Sequence, residues 1–123
     1  MADQKIRSAH ELPPACQSGW QYHHIGIPTT DPRQDEEYLP HLKMYVSGFE
    51  TSPYGIEWMR FEADCPISHI IQTTPHVAFK VDNLEEAIEG KTLIGEISSP
   101  SEGIRVAMFL DNGVPVEVLE FKK

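Results

Sequence analysis

The sequence repeats one pattern of residue types in its two halves. The first half opens with His24-Ile-Gly-Ile and closes with Gly55-Ile-Glu57-Trp-Met-Arg-Phe, and the second opens with His76-Val-Ala-Phe and closes with Pro115-Val-Glu117-Val-Leu-Glu-Phe. Each half therefore supplies one histidine and one glutamate, in the same order. A folded repeat would bring these four side chains to one centre. The repeat thus predicts two similar units built around a shared site.

The four repeated side chains suit a metal centre. Both glutamates alternate with apolar residues in strand-like segments, so they are predicted to point into an apolar interior. A buried carboxylate is costly unless a cation or strong hydrogen-bond donors lie beside it. The residues two positions after the histidines, Gly26 and Ala78, are small, which is predicted to leave open space above the site. We predict a divalent cation (zinc, nickel, iron, manganese or cobalt) bound by His24, Glu57, His76 and Glu117.

Taken singly, each of these residues is more often structural or solvated than a ligand, and the prediction depends on their repetition in register. Three histidines lack a counterpart in the other half and are predicted to lie at the surface: His10, His41 and His69. His23 is predicted to be a packed or supporting histidine instead of a ligand. Arg60 and Arg105 are candidates for holding an anionic substrate group, but ordinary ion pairs across a strand face are favoured.

The length and the charge of the chain limit the number of domains and the class of partner. Its 123 residues are about one domain's worth, so the two halves must share a core. We predict an N-terminal tail or arm over residues 1–20 and one domain over 21–122, with modules at 21–62 and 75–122. The formal net charge of −9 disfavours nucleic acid as a partner.

The sequence also predicts where the chain is found. No segment approaches the ~20 apolar residues of a membrane span, and the N-terminus lacks the apolar core of a signal peptide. We expect a cytoplasmic protein that does not enter a membrane. Cys16 and Cys65 are then predicted to be reduced and to take no part in the chemistry.

The second half has the clearer pattern of secondary structure. Residues 76–81 alternate, which places His76 on one face of a strand and the apolar Val77, Phe79 and Val81 on the other. Asp82 or Asn83 is predicted to cap a short helix that covers the apolar face. Three further strands are predicted at 93–97, 104–110 and 115–121. The second half is therefore predicted to be β-α-β-β-β.

The first half follows the same plan in a shorter form. Asp31-Pro32 is an N-cap signal and predicts a helix that Pro40 stops. Strands are predicted at 21–28, 43–49 and 55–62. The histidines lie 52 positions apart (24 to 76) and the glutamates 60 (57 to 117), so the first half is shorter by about one strand and its turn. We predict β-α-β-β, with one strand lost.

These segments resemble the vicinal oxygen chelate superfamily, which has the glyoxalase and bleomycin-resistance fold. The resemblance covers about residues 21–122 and is most specific at His24-Ile-Gly-Ile, His76-Val-Ala-Phe-Lys-Val-Asp-Asn and Val116-Glu117-Val-Leu-Glu. It implies an α+β fold in which two βαβββ modules, the first one shortened, curl their mixed sheets around a metal-binding cleft. The ligands of glyoxalase I-like members are His, Glu, His and Glu, which the resemblance places at His24, Glu57, His76 and Glu117.

The resemblance favours a metal-dependent isomerase or lyase of the glyoxalase or epimerase type. The metal would hold two neighbouring oxygens of a small carbonyl or hydroxy substrate, and a glutamate would transfer a proton through a metal-bound enediolate. Glu57 and Glu117 are both candidates for this catalytic base, and the sequence leaves the choice open. It also leaves open the metal, the substrate and whether one chain or two complete each site.

Two alternatives stay open. An extradiol-type iron dioxygenase would use His24, His76 and Glu117 alone, with Glu57 outside the ligand set. A non-catalytic module would bind a drug-like ligand or a metal chelate in the cleft. A small molecule is the expected partner in every case. Because members of the superfamily commonly pair, we also expect a homodimer, to which the N-terminal arm would contribute.

Overall fold

A single curled mixed sheet runs through the part of the chain that the computed structural model describes, residues 5–122. Its strands are β1 (Gln21–Pro28), β2 (Glu37–Leu39), β3 (Met44–Ser47), β4 (Ile56–Phe61), β5 (His76–Lys80), β6 (Thr92–Leu93), β7 (Ser98–Ser101), β8 (Ile104–Asp111) and β9 (Val114–Phe121). The helices are α1 (Pro14–Gln17), α2 (His69–Thr73) and α3 (Leu84–Ile88). The predicted α+β class with a curled mixed sheet is confirmed.

The strand order reflects the repeat. The strands follow one another as β2-β3-β4-β1-β5-β9-β8-β6, and β7 pairs with β8. In the first half β1 pairs with β4 in parallel, and in the second half β5 pairs with β9 in parallel. The antiparallel pairing of β1 with β5 joins the halves. The strands that open and close each half are therefore the four central neighbours.

The main core lies on the outer face of the second half, as the alternation around His76 predicted. Asn83 caps α3 by accepting a hydrogen bond from the backbone N–H of Glu86 at 2.9 Å. The short helix then buries its apolar side on the sheet, since an amphipathic stripe needs such a partner to be stable. The core comprises Val81, Leu84, Ala87, Ala107, Phe109, Val116 and Val118, against which Trp20, Val77, Phe79 and Ile88 pack.

The helix predicted after Asp31-Pro32 was wrong. Residues 29–36 contain no helix, and Glu37–Leu39 forms β2 beside β3. Arg60 on β4 donates two hydrogen bonds to the carboxylate of Glu36, at 2.8 and 2.7 Å. This contact fixes the segment beside β4, and a helix limited by Pro32 and Pro40 would be too short to stand alone. The first half therefore keeps all four strands, so the predicted loss of one strand is wrong, and what this half lacks is the helix between β1 and β2.

A helix also forms where only a crossing segment was predicted. Residues 63–74 contain α2, which contacts β1 and β4 and buries Ile71. In the second half α3 contacts β8 and β9. The helix that covers the first half of the sheet thus comes after the last strand of that half, and not after its first.

Two of the three later strands of the second half are confirmed and one is not. The segments predicted at 104–110 and 115–121 form β8 and β9. The strand predicted at 93–97 is wrong, because Gly95 adopts a positive φ of 70° between the separate short strands β6 and β7.

The predicted N-terminal arm is described only in part, since residues 1–4 lie outside the described residues. The remainder carries the single helical turn α1, and the division between arm and domain stays a prediction. Within residues 5–122, no helix has the length and hydropathy needed to span a bilayer.

Candidate metal centre

The pairing of β1 with β5 places the two histidines symmetrically. In this antiparallel pair His24 lies opposite Ala78, and Gly26 lies opposite His76. Each histidine therefore has a small residue of the opposite strand beside it. Because these residues are small, the two imidazoles can lie next to each other on the same face of the sheet. Their ring centroids are 5.5 Å apart, and the ring planes are nearly perpendicular, at 86°.

The outer parallel strands add the glutamates in the same rows. Glu57 on β4 is the neighbour of Gly26, and Glu117 on β9 is the neighbour of Ala78. One row across the sheet therefore reads Glu57, Gly26, His76, and the next reads His24, Ala78, Glu117. The repeated sequence pattern produces this arrangement because the two halves have the same register.

The four predicted site residues meet within one chain. Glu117 Oε1 lies 3.2 Å from Nε2 of His24 and 3.0 Å from Nε2 of His76, and Glu57 Oε1 lies 3.9 Å from Nε2 of His24. Single ligand atoms of His24, His76 and Glu117 all lie within 4.8 Å of one another, which is compatible with a metal site. Glu57 stands slightly apart from these three. The assignment of all four as ligands stays a prediction.

The space above Gly26 is filled, contrary to the prediction that the small residues would leave it open. A Cβ atom on Gly26 would lie 2.1 Å from Cε1 of His76 and 2.6 Å from its Nδ1. Only glycine therefore admits the His76 ring in its present position. Ala78, the equivalent of Gly26 in the repeat, is completely buried beside His24.

His76 provides the strongest indication that the site is built for a cation. The residue is only 4% exposed, and within residues 5–122 neither ring nitrogen makes a hydrogen bond. Nε2 lies close to Glu117 but is poorly aligned for a hydrogen bond with it. A buried polar atom without a partner is costly and calls for an explanation. Imidazole nitrogens beside carboxylates form a donor set that fits a divalent cation of the zinc or iron kind.

The charges at the site depend on one another. Burial favours a neutral Glu117, but the close approach and charge of the His24 and His76 imidazoles outweigh it and lower the pKa of Glu117 to about 2. Burial likewise lowers the pKa of His24, yet the hydrogen bond and charge of Glu117 exceed this effect, so the pKa of His24 is raised overall. Glu117 is thus held as a carboxylate by two imidazoles, as an anionic ligand must be.

Glu57 has a different environment from Glu117. Burial raises the pKa of the Glu57 carboxyl, although the charge of His24 partly opposes this. Its side chain is 23% exposed, whereas that of Glu117 is 15% exposed. Glu57 also lines a cavity of about 260 Å³, and Glu117 is not among the residues that line this cavity. Glu57 is therefore the glutamate that an entering molecule would meet.

His23 supports His24, as its predicted supporting role requires. Nδ1 of His23 lies 2.8 Å from Nδ1 of His24, so one of these nitrogens donates a hydrogen bond to the other. Burial, together with the charge of His24, lowers the pKa of His23 and favours its neutral form. A hydrogen bond to the distal nitrogen of a metal-binding histidine fixes its tautomer and ring orientation.

Phe49 was missed by the sequence reasoning. Its ring stacks on His23 at 5.1 Å and meets the edge of His24 at 5.8 Å, and it also lines the cavity at Glu57. It lies in the connection after β3, and it has no counterpart in the repeat. The only local signal was the preceding Gly48, which has a positive φ of 92° and lets the chain pass close to Trp58.

The remaining residues singled out in the sequence lie away from the site. Arg60 binds Glu36, and Arg105 binds Glu85 and Glu120, which confirms the prediction of ion pairs. Cys16 and Cys65 are free thiols. The three histidines without repeat partners are exposed, as predicted: His10, His41 and His69.

Comparisons with known proteins identify the fold. No protein-family model matches the chain, and no curated protein matches it by sequence. A crystal structure of a hypothetical protein from Bacillus halodurans C-125 is 24% identical, with a TM-score of 0.63, over 85% of this chain and 96% of that one. Methylmalonyl-CoA epimerase from Mycobacterium tuberculosis is 16% identical, with a TM-score of 0.51, over 93% of this chain and 95% of that one. These similarities concern the fold alone.

Proposed function

We propose that this protein is a divalent-cation-dependent isomerase of the epimerase type within the vicinal oxygen chelate superfamily. One observation carries the proposal: His76 is buried beside a second histidine and a carboxylate, and neither of its ring nitrogens has a hydrogen-bond partner among residues 5–122. Such an arrangement is stable if a cation satisfies it and costly otherwise. The epimerase with a similar fold supports the choice of reaction type.

In this proposal His24, His76 and Glu117 hold the cation. When bound, the cation supplies a Lewis acid that polarises neighbouring substrate oxygens and so acidifies the adjacent C–H. Gly26 admits the ring of His76, and His23 orients the ring of His24. The chain thus fixes its donors before a substrate arrives, which is the preorganisation that catalysis requires.

Glu57 is the proposed base. Its carboxylate borders the cavity, and it stands apart from the other three side chains while staying 3.9 Å from His24. It would accept the proton from the substrate carbon and return it on the same face to the neighbouring carbon, whereas inversion at a single carbon would need a proton donor on the opposite face. Glu117 is less suited, because its oxygen lies between Nε2 of His24 and Nε2 of His76, where it would bind the cation.

Solvent exchange tests the proposal without knowledge of the natural substrate. Protein loaded with zinc, nickel or cobalt is incubated in D₂O with small 2-hydroxycarbonyl compounds such as hydroxyacetone and lactaldehyde, and deuterium incorporation is followed by NMR. We expect incorporation with at least one compound and metal, and a rate about 100-fold lower in Glu57→Gln at unchanged metal content. Absence of exchange across the panel, or undiminished exchange in Glu57→Gln, would contradict the proposal.

An iron-dependent dioxygenase is the second candidate. The mutual proximity of His24, His76 and Glu117, without Glu57, matches the two-histidine, one-carboxylate set of such enzymes. Iron(II)-loaded protein would then consume oxygen with a catechol, and Glu57→Gln would leave that consumption in place. Tight zinc or nickel binding without oxygen uptake would argue against this candidate.

A homodimer belongs to the same proposal. The four side chains lie close together in one chain, so in this proposal dimer formation would shape the cleft without supplying them. Light scattering on the purified protein measures this directly. A mass near 28 kDa, twice that of the 13.9 kDa chain, is expected.

A further inference from the structure

The cavity at Glu57 is lined by acidic side chains. It lies between β2, the end of β3, the following loop and β4, and its volume is about 260 Å³. Four carboxylates contribute to its wall: Asp35, Glu37, Glu50 and Glu57. No lysine, arginine or histidine is among its lining residues. Cavities of about 370, 550, 510 and 220 Å³ elsewhere in the described residues contain none of the four predicted metal ligands, whereas this cavity contains Glu57.

Basic residues of the first half neutralise this wall only in part. Arg60 is bound by Glu36, and Lys43 is bound by Asp64, both outside the cavity lining. Arg33 lies over the ring of Trp58 and approaches Asp35 at 3.8 Å. Among residues 5–122, Glu37 and Glu50 form no ion pair. Glu37 and Glu50 therefore line the cavity without an ion-pairing partner among the described residues.

This charge selects among ligands. At contact distance in water, one carboxylate lowers the binding affinity for an anionic group about fivefold. It raises the affinity for a cationic group by about the same factor. Two such groups act in the same direction. Val46 and Phe49 in the same wall offer apolar contact for the carbon part of a small molecule.

We infer that the site takes an uncharged or cationic substrate with two adjacent oxygens, and that Glu37 and Glu50 exclude substrates that carry phosphate or carboxylate groups. This inference rests on the proposed function, because the adjacent oxygens would be held at the cation. It narrows the substrate class to small neutral or amino-bearing carbonyl compounds. Phosphate-bearing carriers, including coenzyme A thioesters, fall outside it.

Three hydroxamates with the same chelating head test the inference. Glycine hydroxamate is cationic, acetohydroxamate is neutral, and the monohydroxamate of succinic acid is anionic. Their dissociation constants are measured on the cobalt(II)-loaded full chain by visible absorption at low ionic strength. We expect affinity to fall from cation to anion by about tenfold or more, and the difference to shrink with added salt.

Two matched double variants assign the effect. In Glu37→Gln/Glu50→Gln, the ratio of the affinities for the cationic and the anionic hydroxamate (the spread) should fall to about threefold or less. Glu89→Gln/Glu102→Gln removes the same charge from exposed positions outside the cavity and should preserve the spread. An anionic hydroxamate that binds as tightly as the cationic one would overturn the inference. So would a spread that is unchanged in Glu37→Gln/Glu50→Gln.

A cobalt titration of the same preparation separates the two claims. If cobalt binds but the hydroxamates show no charge preference, the substrate inference fails and the metal-dependent function stands. If cobalt does not bind at all, the proposed function fails and the substrate inference fails with it.

Discussion

At the scale of single residues, Gly26 and His76 depend on each other. The histidine ring occupies the space in which any other side chain at position 26 would place its Cβ atom. We expect Gly26→Ala to lower the free energy of unfolding by about 1–3 kcal/mol and to weaken metal binding, because the ring must move out of a packed position. Urea denaturation measures the first effect, and calorimetric zinc titration measures the second.

A double variant gives this prediction its control. If the clash with His76 is the cause, Gly26→Ala should cost little once His76→Ala has removed the ring. Fully additive losses of stability in Gly26→Ala/His76→Ala would show that the glycine is needed for another reason.

His23 allows a second test at this scale. Its Nδ1 atom lies 2.8 Å from that of His24, and its pKa is lowered, first by burial and then by the charge of His24. If Nδ1 of His23 accepts the hydrogen bond, the proton of His24 stays on Nδ1. Nε2 of His24 is then unprotonated and can bind the metal. We expect His23→Leu to weaken zinc binding about 10- to 100-fold, as measured by calorimetry.

The conservative replacement separates orientation from packing. Asparagine can present an amide oxygen near the position of Nδ1, so His23→Asn should retain zinc affinity to within about fivefold of the wild-type value. Equal affinities in the wild type and His23→Leu would be inconsistent with the orienting role.

At the scale of secondary structure, Glu120 connects β9 to the helix that covers it. Its carboxylate accepts the backbone N–H of Leu84, at the start of α3, at 2.8 Å and two hydrogen bonds from Arg105. These contacts, the hydrogen bond from the Leu84 backbone first, lower the pKa of Glu120 below its ordinary value of 4.5. The charged form is therefore favoured by folding, and its stabilisation is present above pH 4.5 and lost as the pH falls through the folded-state pKa.

Replacement of this carboxylate should reproduce that pH dependence. We expect Glu120→Gln to lower the free energy of unfolding at pH 7 by about 1 kcal/mol, a value discounted because the group is partly exposed to solvent. Its difference from the wild type should shrink below pH 4.5. Urea melts from pH 3 to 7 measure this, with the exposed Glu102→Gln as control. A difference that stays constant over this range would contradict the account.

Sequence patterns correctly predicted the strands that carry the site. They did not predict several of the secondary-structure elements that surround it. The register of β1, β4, β5 and β9 follows from a repeat that is visible in the residues themselves. The absence of a helix near Asp31 does not follow from the repeat. It depends on the contact of Glu36 with Arg60, a residue that is distant in sequence. The filled space above Gly26 was also unpredictable, since it requires the pairing of β1 with β5.

At the scale of the whole molecule, the site spans the junction of the two halves. His24 and Glu57 come from the first half, and His76 and Glu117 come from the second. Within residues 5–122, only the pairing of β1 with β5 joins the two parts of the sheet. A cation bound there would stabilise both halves at once. With free zinc at 100 times the dissociation constant, the expected gain is about 2.7 kcal/mol.

The central claim is that these side chains bind one divalent cation within one chain. Zinc content after dialysis, measured by elemental analysis beside protein concentration, tests it most directly in the wild type, His76→Ala and the exposed-histidine control His69→Ala. We predict about one zinc per chain in the wild type and in His69→Ala, and less than about a tenth of that in His76→Ala. A full equivalent of zinc in His76→Ala would contradict the account.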